Sequence, residues 1–139
     1  MAAVNKFQPF VENLAEKVFN LGADTLKVLL TNSAPAAANG VKSDLTEISS
    51  GNGYTAGGAT ASISSSAQTS GTYKLVLGDV TITASGGSIG PFRYAVLYDD
   101  TAASDQLIGY WDYGSSITLA DGESITVDFD ASAGVLTIA

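Results

Sequence analysis

Hydrophobic residues recur at intervals of three and four positions near the start of the chain, as they do on one face of an α-helix. They are Phe7, Phe10, Val11, Leu14, Val18 and Leu21. Asn5 is placed to cap the start of this helix, Pro9 is compatible with its first turn, and Gly22 is suited to end it. The pattern predicts an amphipathic helix within residues 1–22. Its apolar face either packs over the sheet of the same domain or docks on another protein.

After Gly22 the hydrophobic period changes to two residues, which indicates β-strands. The alternation is clearest late in the chain, where Ile125, Val127 and Phe129 point to one side and polar residues to the other. Strand-like segments lie at about residues 25–31, 59–66, 72–84, 90–99, 106–113, 115–119, 123–130 and 133–138.

Three features interrupt the strand pattern. The apolar alternation slips at Gly78, which predicts a β-bulge. Asp121-Gly122 stands between two strand-like runs and predicts a β-hairpin turn. The glycine-rich segment 51–58 precedes no helix and contains no lysine, which excludes a phosphate-binding P-loop. We expect this segment to serve a special backbone conformation or a close approach of a neighbouring subunit.

The succession of elements predicts a mainly β fold. We expect a single antiparallel β-sandwich or jelly-roll-like domain over residues 23–139, preceded by the N-terminal helical segment 1–22. The length of 139 residues fits one domain, and no internal repeat is evident.

The composition narrows the possible chemistry, because the chain contains neither histidine nor cysteine. Ser–His–Asp and Cys–His catalytic arrangements, imidazole metal ligands and thiolate nucleophiles are therefore impossible. Only carboxylates remain for acid–base chemistry. We expect no enzymatic activity, no metal and no cofactor.

The charge of the chain bears on its partners. Fourteen acidic and six basic residues give a net charge of −8, and the basic residues are scattered singly, so we expect no nucleic-acid partner. No apolar run approaches the ~20 residues that span a bilayer, and the first residues lack the features of a secretion signal. We expect no membrane partner and no export by such a signal.

Two groups of carboxylates could carry chemistry. Asp128 and Asp130 would lie on one strand face, roughly 6–7 Å apart at Cα, a pairing that glycosidases use. The alternative is a solvated sheet face, where neither pKa would be raised. The loop of residues 99–105 contains three carboxylates and could hold Ca²⁺, but it lacks the glycine and the final glutamate of an EF-hand loop. An acidic surface loop is the alternative.

The aromatic residues Tyr110, Trp111 and Tyr113 lie close together in sequence. Exposed rings next to Asp112 could form a platform for sugars. In a strand, Trp111 and Tyr113 would share one face, and the alternative is that they belong to the core.

Several segments together resemble a known group of proteins. They are Asp24–Val28, Thr31–Pro35, Ser43–Ile48, Gly51–Gly58 and Gly87–Tyr98. Their succession resembles a group of small structural proteins of tailed bacteriophages, and the likeness covers nearly the whole chain, including the helix. The resemblance implies a virion protein and, by analogy with other small acidic β-rich phage proteins, a capsid decoration (cement) protein. It supplies no catalytic residues.

Three functions remain open. The first is a decoration protein on the capsid surface, made in the host cytoplasm, which binds the major capsid protein or another virion protein and forms homo-oligomers or lattice contacts. The second is a tail or head-fibre component that binds host surface glycans. The third is a carbohydrate-active enzyme that uses carboxylates.

The candidate interface residues are Phe7, Phe10, Val11, Leu14, Tyr54 and Arg93. For Arg93, the only arginine, two roles are open: an ion pair within the chain, or a bridge between subunits.

Overall fold

The structure, a computed structural model, describes residues 4–139. The first three residues of the predicted helical segment 1–22 lie outside the described residues. The elements are β1 (Asn5–Lys6), α1 (Gln8–Ala15), β2 (Leu26–Thr31), a 3₁₀ turn (Lys42–Asp44), β3 (Ala59–Ala61), β4 (Ile63–Thr69), β5 (Thr72–Leu77), β6 (Val80–Thr83), β7 (Ile89–Asp99), β8 (Leu107–Leu119), β9 (Ser124–Val127) and β10 (Leu136–Ile138). Residues 4–139 are thus mainly β, with antiparallel sheets and one short α-helix near the N-terminus, as the sequence predicted.

The helix is shorter than the hydrophobic pattern predicted. Pro9 lies in its first turn as expected, but Asn5 pairs with Tyr110 in β1 and makes no helix cap. The helix ends at Ala15 because Lys17 adopts a left-handed backbone with a φ of 69°, a conformation that commonly follows a helix end. The predictions that Asn5 caps the helix and that Gly22 ends it are therefore wrong.

The strands form three antiparallel sheets. The largest has the order β1-β8-β7-β2-β3, the second β10-β5-β4, and the third contains only β6 and β9. β7 and β8 form the longest pairing, in which Val96 lies opposite Tyr110 and Ala95 opposite Trp111. The two segments predicted at 106–113 and 115–119 are one continuous strand, β8.

Two predicted features of the strand connections are wrong. β5 ends before Gly78 and β6 begins after it in a different sheet, so the slip in alternation marks a change of sheet and not a bulge. Gly122 forms the predicted turn with a φ of 90°, but β8 and β9 belong to different sheets and do not form a hairpin. The local sequence predicts the turn at Gly122, whereas the strand with which each strand pairs depends on the rest of the fold.

The strand alternation distributes β2 between two hydrophobic clusters. Leu26, Val28 and Leu30 point into the main core, which also contains residues of α1 and of all three sheets. Leu29 points to the opposite side of the large sheet, into a second cluster that includes Phe7. Phe10 of the N-terminal segment belongs to the main core, and Phe7 belongs to the second cluster. The segment therefore packs against both faces of the large sheet.

Candidate functional site

The helix residues predicted to contact a partner divide into buried and exposed ones. Phe7 and Phe10 are buried in the two clusters, and Leu14 is half-buried against the main core. Val11 is 51% exposed. The two phenylalanines are therefore covered by the domain itself, and Val11 is the large apolar side chain of α1 that is exposed to a partner.

Val11 borders an apolar groove between α1 and β10, which we call the α1–β10 groove. The groove has a volume of about 560 Å³ and is lined by Val4, Lys6, Phe10, Val11, Leu14, Ile108, Val135, Leu136, Thr137 and Ile138. Ile138 is 43% exposed, and it and Val11 are the exposed large hydrophobic side chains among residues 4–139. The fold thus brings the two ends of the described chain together at one apolar surface.

The groove has rigid walls on both sides. Phe10 packs against Phe19, with ring centroids 5.2 Å apart, and this contact holds α1 on the core. On the other side β10 is paired with β5, where Leu136 lies opposite Leu75, a fully buried residue. Neither wall depends on a partner for its position.

The glycine-rich segment 51–58 is fixed by a buried hydrogen-bond network. The Tyr54 hydroxyl donates to Glu47 Oε1 at 2.6 Å and accepts from the backbone N–H of Leu30 at 3.0 Å. Glu47 Oε1 also accepts from the N–H of Gly57. Burial and the nearby Glu47 carboxylate raise the pKa of Tyr54 far above its usual range, so the hydroxyl stays protonated. Tyr54, a predicted interface residue, is buried and serves this network.

Gly58 explains why this segment needs glycine. Its φ is +80°, and a Cβ placed there would lie 1.8 Å from the carbonyl oxygen of Val28 in β2. The expected special backbone conformation is therefore present, and the strand that approaches Gly58 closely belongs to the same chain. A close approach of a neighbouring subunit stays a prediction.

Arg93 makes an ion pair within the chain. Its Nε lies 2.7 Å from Asp112 Oδ1 and a terminal nitrogen lies 3.1 Å from Asp112 Oδ2. The guanidinium also lies over the ring of Tyr94, 5.4 Å from the centroid. These contacts lower the pKa of Asp112, and the first of the two alternatives for Arg93 is the one that the structure contains.

The acidic loop contains one buried carboxyl. Asp99 is 0% exposed, its Oδ1 accepts from the N–H groups of Thr101 and Ala102, and its Oδ2 has no hydrogen-bond partner of ordinary geometry within residues 4–139. Desolvation and the neighbouring Asp24 carboxyl raise the pKa of Asp99 to about 7. Asp100 and Asp105 instead face Lys27 and Lys42 as ion pairs. The carboxylates of this loop therefore point to different partners.

Asp128 and Asp130 lie beyond the end of β9, both exposed, and line a cleft with Asp79. Asp130 Oδ1 accepts from the N–H groups of Ser132 and Ala133, which lowers the pKa of Asp130. A general acid of a glycosidase needs a raised pKa. The pKa of Asp130 is lowered and not raised, so Asp130 does not suit the role of the general acid.

The aromatic residues 110–113 do not form an open platform. Trp111 is buried and packs edge-on against Phe129, with ring centroids 5.3 Å apart. The Tyr113 hydroxyl is buried as well, and Tyr110 is half-buried beside Phe7. The alternative that places these rings in the core is the one that the structure contains.

Among the described residues, no group of three or more His, Cys, Asp or Glu side chains is arranged to hold a metal ion. In residues 4–139, no helix combines the length and the apolar character that a bilayer crossing requires.

No family model, no curated protein and no solved structure matches the chain. The function is therefore proposed from the geometry described above and from the resemblance of the sequence segments.

Sequence reasoning missed three residues that matter at these sites. Ile138 ends a short strand-like run, and nothing in the run shows that it borders α1. Glu47 and Asp24 stand in loops, where a carboxylate carries no signal of burial or pairing. Each acquires its role from a contact with another segment of the chain, so a local pattern could not have identified it.

Proposed function

We propose that this chain is a non-enzymatic structural protein of a tailed-bacteriophage virion, located on the capsid surface. In this proposal it decorates the head by binding the major capsid protein through the α1–β10 groove. The observation that carries the proposal is the placement of Val11 and Ile138, both exposed, at one apolar groove.

Apolar anchors of this kind are what a protein surface offers to a partner. Exposed hydrophobic patches rimmed by polar residues mark interaction sites, and a few large side chains supply most of the binding free energy. Lys6 lines the groove, and the exposed Glu12 follows Val11 in α1, so charged residues lie beside the apolar centre.

The scaffold supports a structural role. The helix and all three sheets contribute to one core, and we propose that the sheets pack as a β-sandwich or jelly-roll-like domain. A domain of this kind, with both walls of the groove fixed by internal packing, would bind with little loss of conformational entropy.

The carboxylates are better suited to structure than to catalysis. Asp130 and Asp112 have lowered pKa values and accept hydrogen bonds, so neither is a proton donor near neutral pH. Asp99, whose pKa is raised, is fully buried and out of reach of a substrate. We therefore favour the non-enzymatic function over a carbohydrate-active enzyme.

The test is co-sedimentation of the purified protein with phage heads that lack it. We expect the wild-type chain to bind heads and the double variant Val11→Asp/Ile138→Asp to lose most of its binding, because charges replace the two anchors. The matched control is Ser115→Asp, an exposed residue of β8 that lies away from the groove. Circular dichroism must show that all three proteins keep the fold.

Each other outcome contradicts part of the proposal. Undiminished binding by the double variant would move the attachment surface away from the groove. Binding to purified tails in place of heads would favour the tail or fibre component. Binding to neither particle would overturn the virion function itself.

A further inference from the structure

The strand β4 forms an open edge of the three-stranded sheet. It pairs with β5 on one side, and within residues 4–139 the order β10-β5-β4 leaves its other side without a neighbouring strand. Alternate N–H and C=O groups of an edge strand point outward and are available to another strand. β4 is seven residues long, and apart from the half-buried Ile63 and Ser66 its side chains are exposed.

The pairing of β4 with β5 is irregular between Ile63 and Ser65, but the regular part of β4, residues 65–69, lacks the features by which proteins protect such edges. Natural edge strands are shortened or contain lysine or proline, which block pairing with another chain. The sequence of β4, Ile-Ser-Ser-Ser-Ala-Gln-Thr, contains neither residue and no charge. The other edges differ: β1 has two residues and includes Lys6, β10 and β3 have three residues each, β6 has four residues and follows Asp79, β9 is flanked by Glu123 and Asp128, and the part of β8 beyond its pairing with β1 includes Asp112.

The distribution of charge indicates which partner this edge can accept. Residues 48–73 contain no charged side chain, although the whole chain has a net charge of −8. Two copies repel each other over most of their surfaces, but not where both present this neutral segment. An edge without charge also offers nothing to select a strongly basic or acidic partner, whereas an identical strand matches it in length and polarity.

We propose that β4 pairs antiparallel with β4 of a second copy about a two-fold axis. The pairing would join the three-stranded sheets of the two copies into one continuous sheet. An isologous contact of this kind is self-complementary, because each residue meets the same surface on its partner. The exposed Ser and Thr side chains could form cross-strand hydrogen bonds, and their small size lets the backbones approach.

The experiment is sedimentation velocity of the full chain over a range of concentrations at physiological salt. We expect a concentration-dependent dimer for the wild type. The double variant Ser65→Lys/Ala67→Lys, which places two charges on the exposed part of β4, should weaken dimerisation at least tenfold while circular dichroism shows an unchanged fold. The control Ser115→Lys adds a charge at an exposed position of β8, which belongs to a different sheet, and should dimerise as the wild type does.

Hydrogen exchange provides a second measurement that separates edge pairing from other contacts. Amides of β4 should gain protection as the wild-type concentration rises, and those of β9 should not. A wild type that stays monomeric at every concentration would overturn the proposal. So would a dimer that the two lysines leave intact, because the contact would then lie elsewhere. The measurements use isolated protein, so their failure leaves the attachment to heads through the α1–β10 groove untouched.

Discussion

Arg93 and Asp112 form a two-point ion pair across β7 and β8, with nitrogen–oxygen distances of 2.7 and 3.1 Å. Asp112 Oδ1 also accepts from the N–H of Gly114, so one carboxylate connects the guanidinium to the backbone of β8 at Gly114, which has a φ of 89°. The geometry depends on the planar fork of arginine, which an ammonium group cannot reproduce. A role of Arg93 between subunits stays a prediction.

Arg93→Lys should lower the melting temperature only modestly. Both side chains are more than a third exposed, and solvent screening makes such pairs contribute little to stability. The pKa of Asp112 is lowered, so the pair stabilises the fold above the ordinary carboxyl pKa of 3.8, and this contribution is lost as the pH falls through the lowered value. Thermal melts at pH 7 and pH 3 should differ less for the variant than for the wild type. Loss of head binding or of dimerisation in a folded Arg93→Lys protein would instead support the subunit bridge.

Asp99→Asn should remove a pH dependence of stability that lies at higher pH than the one from Asp112, between about 3.8 and 7. The pKa of Asp99 is raised from its ordinary value of 3.8 to about 7, because the carboxyl is desolvated and lies beside Asp24. The folded state keeps this proton to a higher pH than the unfolded state does. Stability from this group is therefore complete below 3.8 and is lost as the pH rises to about 7.

Urea unfolding between pH 4 and pH 8 measures this effect. The Asp99→Asn variant keeps a side-chain oxygen for the N–H groups of Thr101 and Ala102 and replaces the acid by a neutral donor beside Asp24. We expect the variant to exceed the wild type at pH 8 by ~1–3 kcal/mol and to show a flatter profile. Asp128→Asn, at an exposed position, is the control and should keep the wild-type profile. A steep profile in Asp99→Asn would assign the dependence to another group.

Tyr54→Phe should destabilise the fold by ~1–3 kcal/mol in urea unfolding, because the change leaves a buried backbone N–H without an acceptor and removes a donor from the half-buried Glu47. The N–H of Leu30 loses its acceptor, and Glu47 loses one of its two donors, keeping the N–H of Gly57. Tyr113→Phe is the matched control, since the Tyr113 hydroxyl is buried with no hydrogen-bond partner in residues 4–139. Its removal should be neutral or stabilising. Equal losses in both variants would mean that the Tyr54 network does not contribute.

The mainly β class and the approximate positions of the strands could be predicted because they depend on local alternation. Ile125 and Val127 alternate with polar residues whatever their strand pairs with, and β9 forms there. The partners could not be predicted in this way. Asp121-Gly122 makes a turn of the expected kind, but whether the chain returns beside β8 or crosses to β6 depends on which surface buries more of β9.

The bounds of the helix α1 could not be predicted from local periodicity either. The spacing of Phe7, Phe10 and Leu14 fits a helix, yet Phe7 lies before its first residue and is fully buried in the second cluster. Periodicity reports which residues are apolar, whereas tertiary packing decides which of them the helix includes. The α1–β10 groove was unpredictable for a related reason, because it needs Ile138 from the far end of the chain.

A chain that begins at Ala23 should lose its cooperative thermal transition. Phe10, Phe19 and Leu21 belong to the same core as the sheets, and Phe7 fills the second cluster, so the deletion opens cavities on both sides of the large sheet. Phe10→Ala alone should cost ~3–5 kcal/mol, which is the usual range for a buried phenylalanine. Val11→Ala, one position away but 51% exposed, is the matched control and should change stability by no more than ~0.5 kcal/mol. If the shortened chain instead melts cooperatively and only fails to bind heads, the N-terminal segment is an attachment arm, and its packing against the core contributes little to the fold.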